Sequence, residues 1–170
     1  LMQTEVSIEA IYTACLLCKK YKVKTVLKPS ACPSFPKNIF KYLDYIIPNK
    51  REVFDLVPDA RDYKSAAKTL LQKGVKNVIV TLGEEGCYFL NQDREIYVKG
   101  IRVTSVDRTG AGDAFISAFV ARLLKGEEIR SALEFANFSG AYSVTQQGAS
   151  SMAEVNTLSS LIRQFTENNP

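Results

Sequence analysis

The 170-residue chain contains no histidine and no tryptophan. Without an imidazole, Ser-His-Asp chemistry cannot operate, and no histidine is present to complete a zinc site. Cysteine is scarce, at Cys15, Cys18, Cys32 and Cys87. The C-x-x-C spacing of Cys15 and Cys18 admits metal or redox chemistry. However, Cys15 falls on the apolar face of a predicted helix and no second close pair follows, so buried reduced thiols of an intracellular protein are expected. Long hydrophobic runs are missing too: none approaches the ~20 apolar residues of a spanning helix. Leu1 to Val6 lacks the charged start and apolar stretch of a signal peptide. The expectation is a cytoplasmic protein with no membrane partner. There is also no large block of one charge; the net charge is +4, with lysine and arginine scattered among acids, so the footprint of a nucleic-acid binder is missing and an anionic small molecule suits the balance better.

What is present is a soluble globular composition, 46% hydrophobic and 24% charged, and a length that suits a single domain over residues 1–170. No internal repeat, low-complexity tract or linker divides it. Leu1 to Glu5 is strand-like. Ile8, Ile11, Tyr12, Cys15 and Leu16 recur at helical spacing, which predicts a helix over Ser7 to Tyr21 with Ser7 as N-cap. Val23 to Leu27 and Tyr45 to Ile47 are short β-branched or aromatic runs that stop at prolines and predict strands. A short helix is expected over Lys37 to Leu43, others around Arg51 to Leu56 and Tyr63 to Lys73, the last closed by Gly74. Asn77 to Leu82 predicts the clearest strand. Gly86 to Leu90 and Glu95 to Val98 flank a hairpin turn, and a last strand is expected over Ile101 to Val106. Three further helices are predicted, over Gly112 to Lys125, Ile129 to Val144 and Val155 to Phe165. Strands alternating with amphipathic helices imply an α/β fold with a mostly parallel sheet.

One stretch carries chemistry. In Val106-Asp107-Arg108-Thr109-Gly110-Ala111-Gly112-Asp113-Ala114-Phe115 a predicted strand turns through small residues into an apolar helix. In open α/β sheets such turns lie where ligands sit. Small residues let the main chain approach a ligand, and the first-turn N–H groups and the helix dipole make an anion site. A carboxylate beside that site is repelled by the anion unless it acts on the attacking group, which suits Asp113 to the work of a general base in phosphoryl transfer. The alternative is that Asp113 is an N-cap after a tight turn. There is no G-x-x-x-x-G-K-[S/T] loop and no protein-kinase signature set.

The longer pattern Asp107-x-Thr109-Gly110-Ala111-Gly112-Asp113-x-Phe115 resembles the carboxy-terminal signature of the ribokinase-like (PfkB family) kinases. The resemblance implies that Asp113 is the catalytic base and that Gly110, Ala111 and Gly112 form the anion hole. The family more often has a small or hydroxylic residue where Arg108 stands. Asn49-Lys50-Arg51-Glu52 looks like the family's N-x-x-E element, in which Asn49 and Glu52 position magnesium and phosphates; a plain helix start with Asn49 as N-cap remains the alternative. Thr81-Leu82-Gly83-Glu84-Glu85-Gly86 is similar to the T-L-G-x-x-G loop that wraps the ATP phosphates and ribose, although a strand-to-hairpin turn would want the same glycines. Asn137 would face the base or ribose. The resemblance also implies a potassium site beside the anion hole, matched here by Asp107, Thr109, Ser143, Gln146, Gly148 and Met152.

The resemblance covers nearly the whole chain and implies a three-layer α/β/α fold whose first strands and small β lid are missing from it. It implies an ATP-dependent kinase acting on a sugar hydroxyl, or on a nucleoside, with ATP and Mg2+ and with K+ as a further cation. Family members are roughly twice this length, so this piece alone is expected to be inactive. A non-catalytic nucleotide-binding or dimerising module is the competing expectation, and a homodimer would cover an exposed sheet edge.

Overall fold

The parallel part of the sheet forms as the short apolar runs predict, each strand fed by a helix or turn. The computed structural model describes residues 1–30, 36 and 38–148. These fall into two compact units: Leu1–Gly83 with Tyr88–Tyr97, and Glu84–Cys87 with the chain from Val98 onward. The sheet has six strands in sequence order: β1 (Met2–Gln3), β2 (Val26–Lys28), β3 (Tyr45–Ile46), β4 (Asn77–Thr81), β5 (Gly86–Leu90) and β6 (Glu95–Lys99). β1 through β4 pair in parallel, with Met2 opposite Leu27, Val26 opposite Tyr45 and Ile46 opposite Val78. A four-residue turn joins β5 to β6, closed by the Asn91 N–H donating to the Arg94 carbonyl at 3.0 Å.

In the first unit, α1 (Ile8–Lys20) starts where Ser7 predicts, its hydroxyl accepting from the Ala10 N–H. α1 buries Ile11 and Cys15, and these join Leu27, Ile46, Val53, Leu70, Val78 and Tyr88 in one apolar core. α2 (Lys50–Leu56) and α3 (Tyr63–Gln72) each open with a capping box, Asn49 with Glu52 and Asp62 with Ser65. Gly74 follows α3 at φ 106°, in the left-handed region where a Cβ is disfavoured. α1 closes by the same Schellman motif as α3 but with a lysine in the left-handed position: the Lys22 N–H donates to Lys19 O and the Val23 N–H to Cys18 O, with Lys22 at φ 57°. Cys15 and Cys87 are buried free thiols, and burial pushes them up to about 11 and about 12, away from thiolate reactivity.

The second unit pairs α4 (Ala111–Leu124) with α5 (Ile129–Ser143). Phe115, Phe119, Leu133 and Ala136 are buried there. The Arg122 guanidinium lies 3.6 Å over the Phe135 ring and bonds Glu127 at 2.7 Å.

Several sequence-based expectations shift. The strand expected over Ile101 to Val106 does not form: the segment has no ladder, and Val103 and Val106 are exposed. A β-branched run becomes a strand only where a neighbour takes its backbone groups, and here the Val106 and Asp107 N–H groups donate to a helix-end carbonyl, Val144 O. The helix expected over Lys37 to Leu43 is, where described, one 3-10 turn at Phe40–Tyr42. The second strand begins three residues late, at Val26, because the closure of α1 uses Lys22 and Val23. The helix expected over Val155 to Phe165 lies outside the described residues. No helix among the described residues is long and apolar enough to cross a membrane.

Candidate active site

In the first unit, predicted site residues gather at the carboxyl ends of the parallel strands, where α/β folds place ligands. Thr4, just past β1, donates its hydroxyl to Ser30 O at 2.8 Å and accepts the Ser30 N–H at 2.6 Å, tying the ends of β1 and β2 together. Past β3, Asn49 bridges to Thr81 at the end of β4, and the Thr81 N–H donates to Pro48 O at 3.0 Å. The N-x-x-E element and the Thr81 loop are therefore neighbours across one strand pair. Asn49 Oδ1 accepts the N–H groups of Arg51 and Glu52 at 2.9 and 2.8 Å, and Glu52 Oε2 accepts the Asn49 N–H at 2.8 Å. The capping-box alternative is thus real, and it holds a half-buried carboxylate in place. Burial raises the Glu52 pKa above the usual range against the opposing pull of the Asn49 N–H and of Lys28, with Asp55 and Glu5 adding repulsion.

Gly83 follows at φ 64° with open space where a Cβ would stand. Glu84, the next residue, belongs to the second unit and is exposed.

In the second unit the turn into α4 is built from small residues. Gly110 is the N-cap, at φ 81°, and brings no capping side chain. Asp113 is not the cap; it stands in the first turn and is exposed. The Ala111 N–H reaches back to Arg108 O at 3.4 Å, and Gly110 has no side chain to cap the N–H groups that follow. Gly140 of α5 lies against this turn: a Cβ there would stand 3.3 Å from Ala111 O. Asp107 braces the approach. Its Oδ1 accepts the Thr109 N–H at 2.9 Å and its Oδ2 the Gly148 N–H at 3.0 Å, and these bonds hold its pKa below the usual range. Asp107, Thr109 and Gly148 are thereby brought together. Ser143 is near them in the fold, since its neighbour Val144 accepts from Val106 and Asp107; its buried hydroxyl has no hydrogen-bond partner among the described residues. Gln146 donates to the Thr145 hydroxyl at 2.9 Å. Met152 lies outside the described residues.

Two positions have a structural reason to be what they are. A Cβ on Gly86 would stand 2.0 Å from Val98 O, and one on Gly100 would stand 1.8 Å from Glu84 O. This close backbone crossing requires glycine at Gly86 independently of any ligand, and Gly100, its partner, was not singled out from the sequence. Asn137 is buried and its Nδ2 donates to Lys99 O at 2.9 Å, which leaves Oδ1 and the second Nδ2 hydrogen to offer elsewhere. Lys28 and Glu5 were also passed over, although their position at the ends of β2 and β1 is the signal that marks them.

The donor sets fit the expected groups. Glu52 and Asn49 offer oxygen, which magnesium takes while keeping several waters; among the described residues there is no cluster of three or more His, Cys, Asp or Glu side chains that could hold a metal. The N-terminus of α4 fits a phosphoryl group, and the small residues before it leave the backbone approachable.

The strand ends of the first unit offer oxygen ligands, and the first turn of α4 in the second unit offers N–H groups to an anion. Residues 1–156 match the pfkB family carbohydrate kinase, and the chain belongs to that family. It is 35% identical over 152 residues to the ribokinase of Staphylococcus aureus, covering 86% of this chain and 50% of that protein. It is 34% identical over 157 residues to the deoxyribokinase of Salmonella typhi, covering 88% and 51%. The Arabidopsis thaliana ribokinase complexed with ribose and ATP is similar in structure, with a TM-score of 0.88 at 26% identity over 94% of this chain and 54% of that one. The chain spans about half the length of the curated relatives it matches.

Proposed function

We propose that the protein to which this chain belongs is an ATP-dependent sugar kinase that phosphorylates a hydroxyl of a pentose or a similar sugar, with a nucleoside as the less favoured acceptor. The observation that carries the reading is the first turn of α4: Gly110 leaves its N–H groups without a cap while Asp113, not used as a cap, stands beside them. Membership of the pfkB family supports it, and so do the relatives named ribokinase and deoxyribokinase.

In this reading Asp113 accepts the proton of the attacking hydroxyl as the new oxygen–phosphorus bond forms and the bond to the β-phosphate oxygen breaks. The N–H groups of Gly112 and Asp113 hold the oxygens of the transferred phosphoryl group, joined by that of Ala111 when it leaves its long bond to Arg108 O, and the dipole of α4 favours the charge gathered there. Magnesium, when bound, neutralises charge on the phosphates, and Asn49 and Glu52 are the residues that hold it, directly or through water. Thr81, Gly83, Glu84 and Gly86 line the loop assigned to the phosphates and ribose, and Asn137 Oδ1 is assigned to the base or ribose.

A monovalent cation such as K+ belongs to the same reading, supported by the unpartnered Ser143 hydroxyl near Asp107, Thr109 and the Gln146–Gly148 loop. A homodimer is the alternative to the missing first strands as cover for the outer edge of β1, which pairs only with β2 among the described residues. A cytoplasmic location, where ATP and sugars meet, completes it.

The test is ATP consumption against a panel of pentoses, hexoses and nucleosides, on the product of the whole reading frame and on its Asp113→Asn variant. Turnover should depend on the sugar and fall by about 10² to 10⁴ in the variant. Equal turnover in both would remove Asp113 from the chemistry, and binding of ATP without turnover would favour a nucleotide-binding module.

A further inference from the structure

The charges scattered among acids elsewhere gather here: the end of α1 and the turn after it carry lysine at four of six positions, Lys19, Lys20, Lys22 and Lys24, all exposed, with no acid between Glu9 and Asp44. None has a carboxylate partner among the described residues. The fold adds a fifth: Lys19 Nζ lies 5.1 Å and Lys41 Nζ 5.2 Å from the centroid of the same ring, Tyr42. Asp44, two residues from Tyr42, does not neutralise them, because it is held by Lys76 Nζ at 2.7 Å and by the Thr25 N–H at 2.8 Å. Among these lysines lie four large apolar side chains in the open: Leu16 at 41%, Leu17 at 50%, Tyr21 at 66% and Val23 at 56% exposure. Scattered apolar residues on a surface need no explanation, but four between Leu16 and Val23, set among unpaired cations, form a patch.

We infer that this face docks on an anionic bilayer surface, the ammonium groups meeting lipid phosphates and carboxylates while Leu16, Leu17, Tyr21 and Val23 enter the boundary between headgroups and acyl chains. The composition distinguishes this occupant from others. Lysine is depleted in interfaces between proteins, yet it is the residue of polybasic segments that lie on charged membranes. Leu16, Leu17 and Val23 have no ring to stack on a base, the Tyr42 ring is taken by two ammonium groups, and the Tyr21 ring, with Lys20 Nζ at 5.4 Å, is the one exposed ring of the patch, so a polynucleotide is poorly served. A fluid surface also asks for no fixed geometry from long flexible side chains. The absence of a spanning helix is compatible with this, since the contact is peripheral.

The experiment is flotation of the product of the whole reading frame with vesicles of phosphatidylcholine alone or mixed with phosphatidylserine, at low and high salt. Binding is expected only on the mixed vesicles and weakens with salt. Joint Lys19→Glu, Lys20→Glu, Lys22→Glu and Lys24→Glu replacement should lower it by about tenfold or more. Leu16→Gln with Leu17→Gln, which leaves the charge unchanged, should lower it by a smaller factor. Lys68→Glu with Lys125→Glu, the same kind of change elsewhere, should lower it far less than the fourfold replacement. Thermal melts of each variant confirm folding, and Lys→Gln replacements serve if the Glu set unfolds. Absence of vesicle binding at low salt, binding indifferent to lipid charge, or capture of polynucleotide by the same lysines without vesicle binding overturns the inference.

Discussion

Two helices begin at candidate site residues, and they begin in opposite ways. α2 is closed by side chains: Asn49 and Glu52 exchange three hydrogen bonds with the backbone, so its first N–H groups are largely satisfied before any ligand arrives. α4 begins at a left-handed glycine with no side chain to give, and its acid stands in the first turn without capping it. A satisfied N-terminus contributes stability and holds its carboxylate in one place. A bare one forgoes that stability and retains donors for an anion that comes and goes. The contrast supports the proposed division of roles, rigid support at the first and chemistry at the second.

Replacements at the two ends should therefore separate. Asp113→Asn should cost the about 10² to 10⁴ in turnover given above while the melting temperature stays put; a matching loss of stability would erase the contrast. Gly86→Ala tests backbone rather than ligand contact. Its methyl would collide with Val98 O at a φ of 104°, so a loss above about 3 kcal/mol in urea unfolding is expected. Gly83→Ala, with open space at φ 64°, should cost only about 1 kcal/mol. Similar costs at both glycines would show that conformation, not the crossing with Gly100, decides.

Asn49→Ala removes the cap of α2 and should cost about 1 to 2 kcal/mol of stability. Glu52→Gln keeps an oxygen able to accept the Asn49 N–H, so its stability should change little while the magnesium dependence of turnover rises. If Glu52→Gln destabilised as much as Asn49→Ala and left the magnesium dependence unchanged, Glu52 would be a capping residue alone. The smallest effect is expected from Asp107. Its folded pKa is lowered by the Thr109 and Gly148 N–H groups, so its contribution is present above the ordinary carboxylate pKa of about 4 and is lost as pH falls through the lower folded value. Acid unfolding followed by near-UV circular dichroism should show that loss, and Asp107→Asn should flatten it.

The helix starts at Ser7 and Tyr63, the glycine after α3, the hairpin and the signature from Asp107 to Phe115 were legible because each is local. A cap, a turn residue or a small-residue run states its requirement within a few positions. The misreadings have a common cause. Ile101 to Val106 has the composition of a strand, but strands need partners, and partners are a property of the fold. Lys22 stands where a glycine would be expected, because the Schellman closure of α1 tolerates one strained residue.

The amino-acid sequence alone determined the α/β class, the pfkB kinship and the residue types of the site, since periodicity, capping and glycine placement act over short distances. Only the tertiary structure decided that Asn49 sits beside Thr81, that Gly86 is glycine because Gly100 crosses it, that Asp107 reaches Gly148, and that Lys41 joins the lysines of α1. Each of these depends on backbones or charges far apart in the chain meeting at a few ångströms, and no local pattern specifies such a meeting.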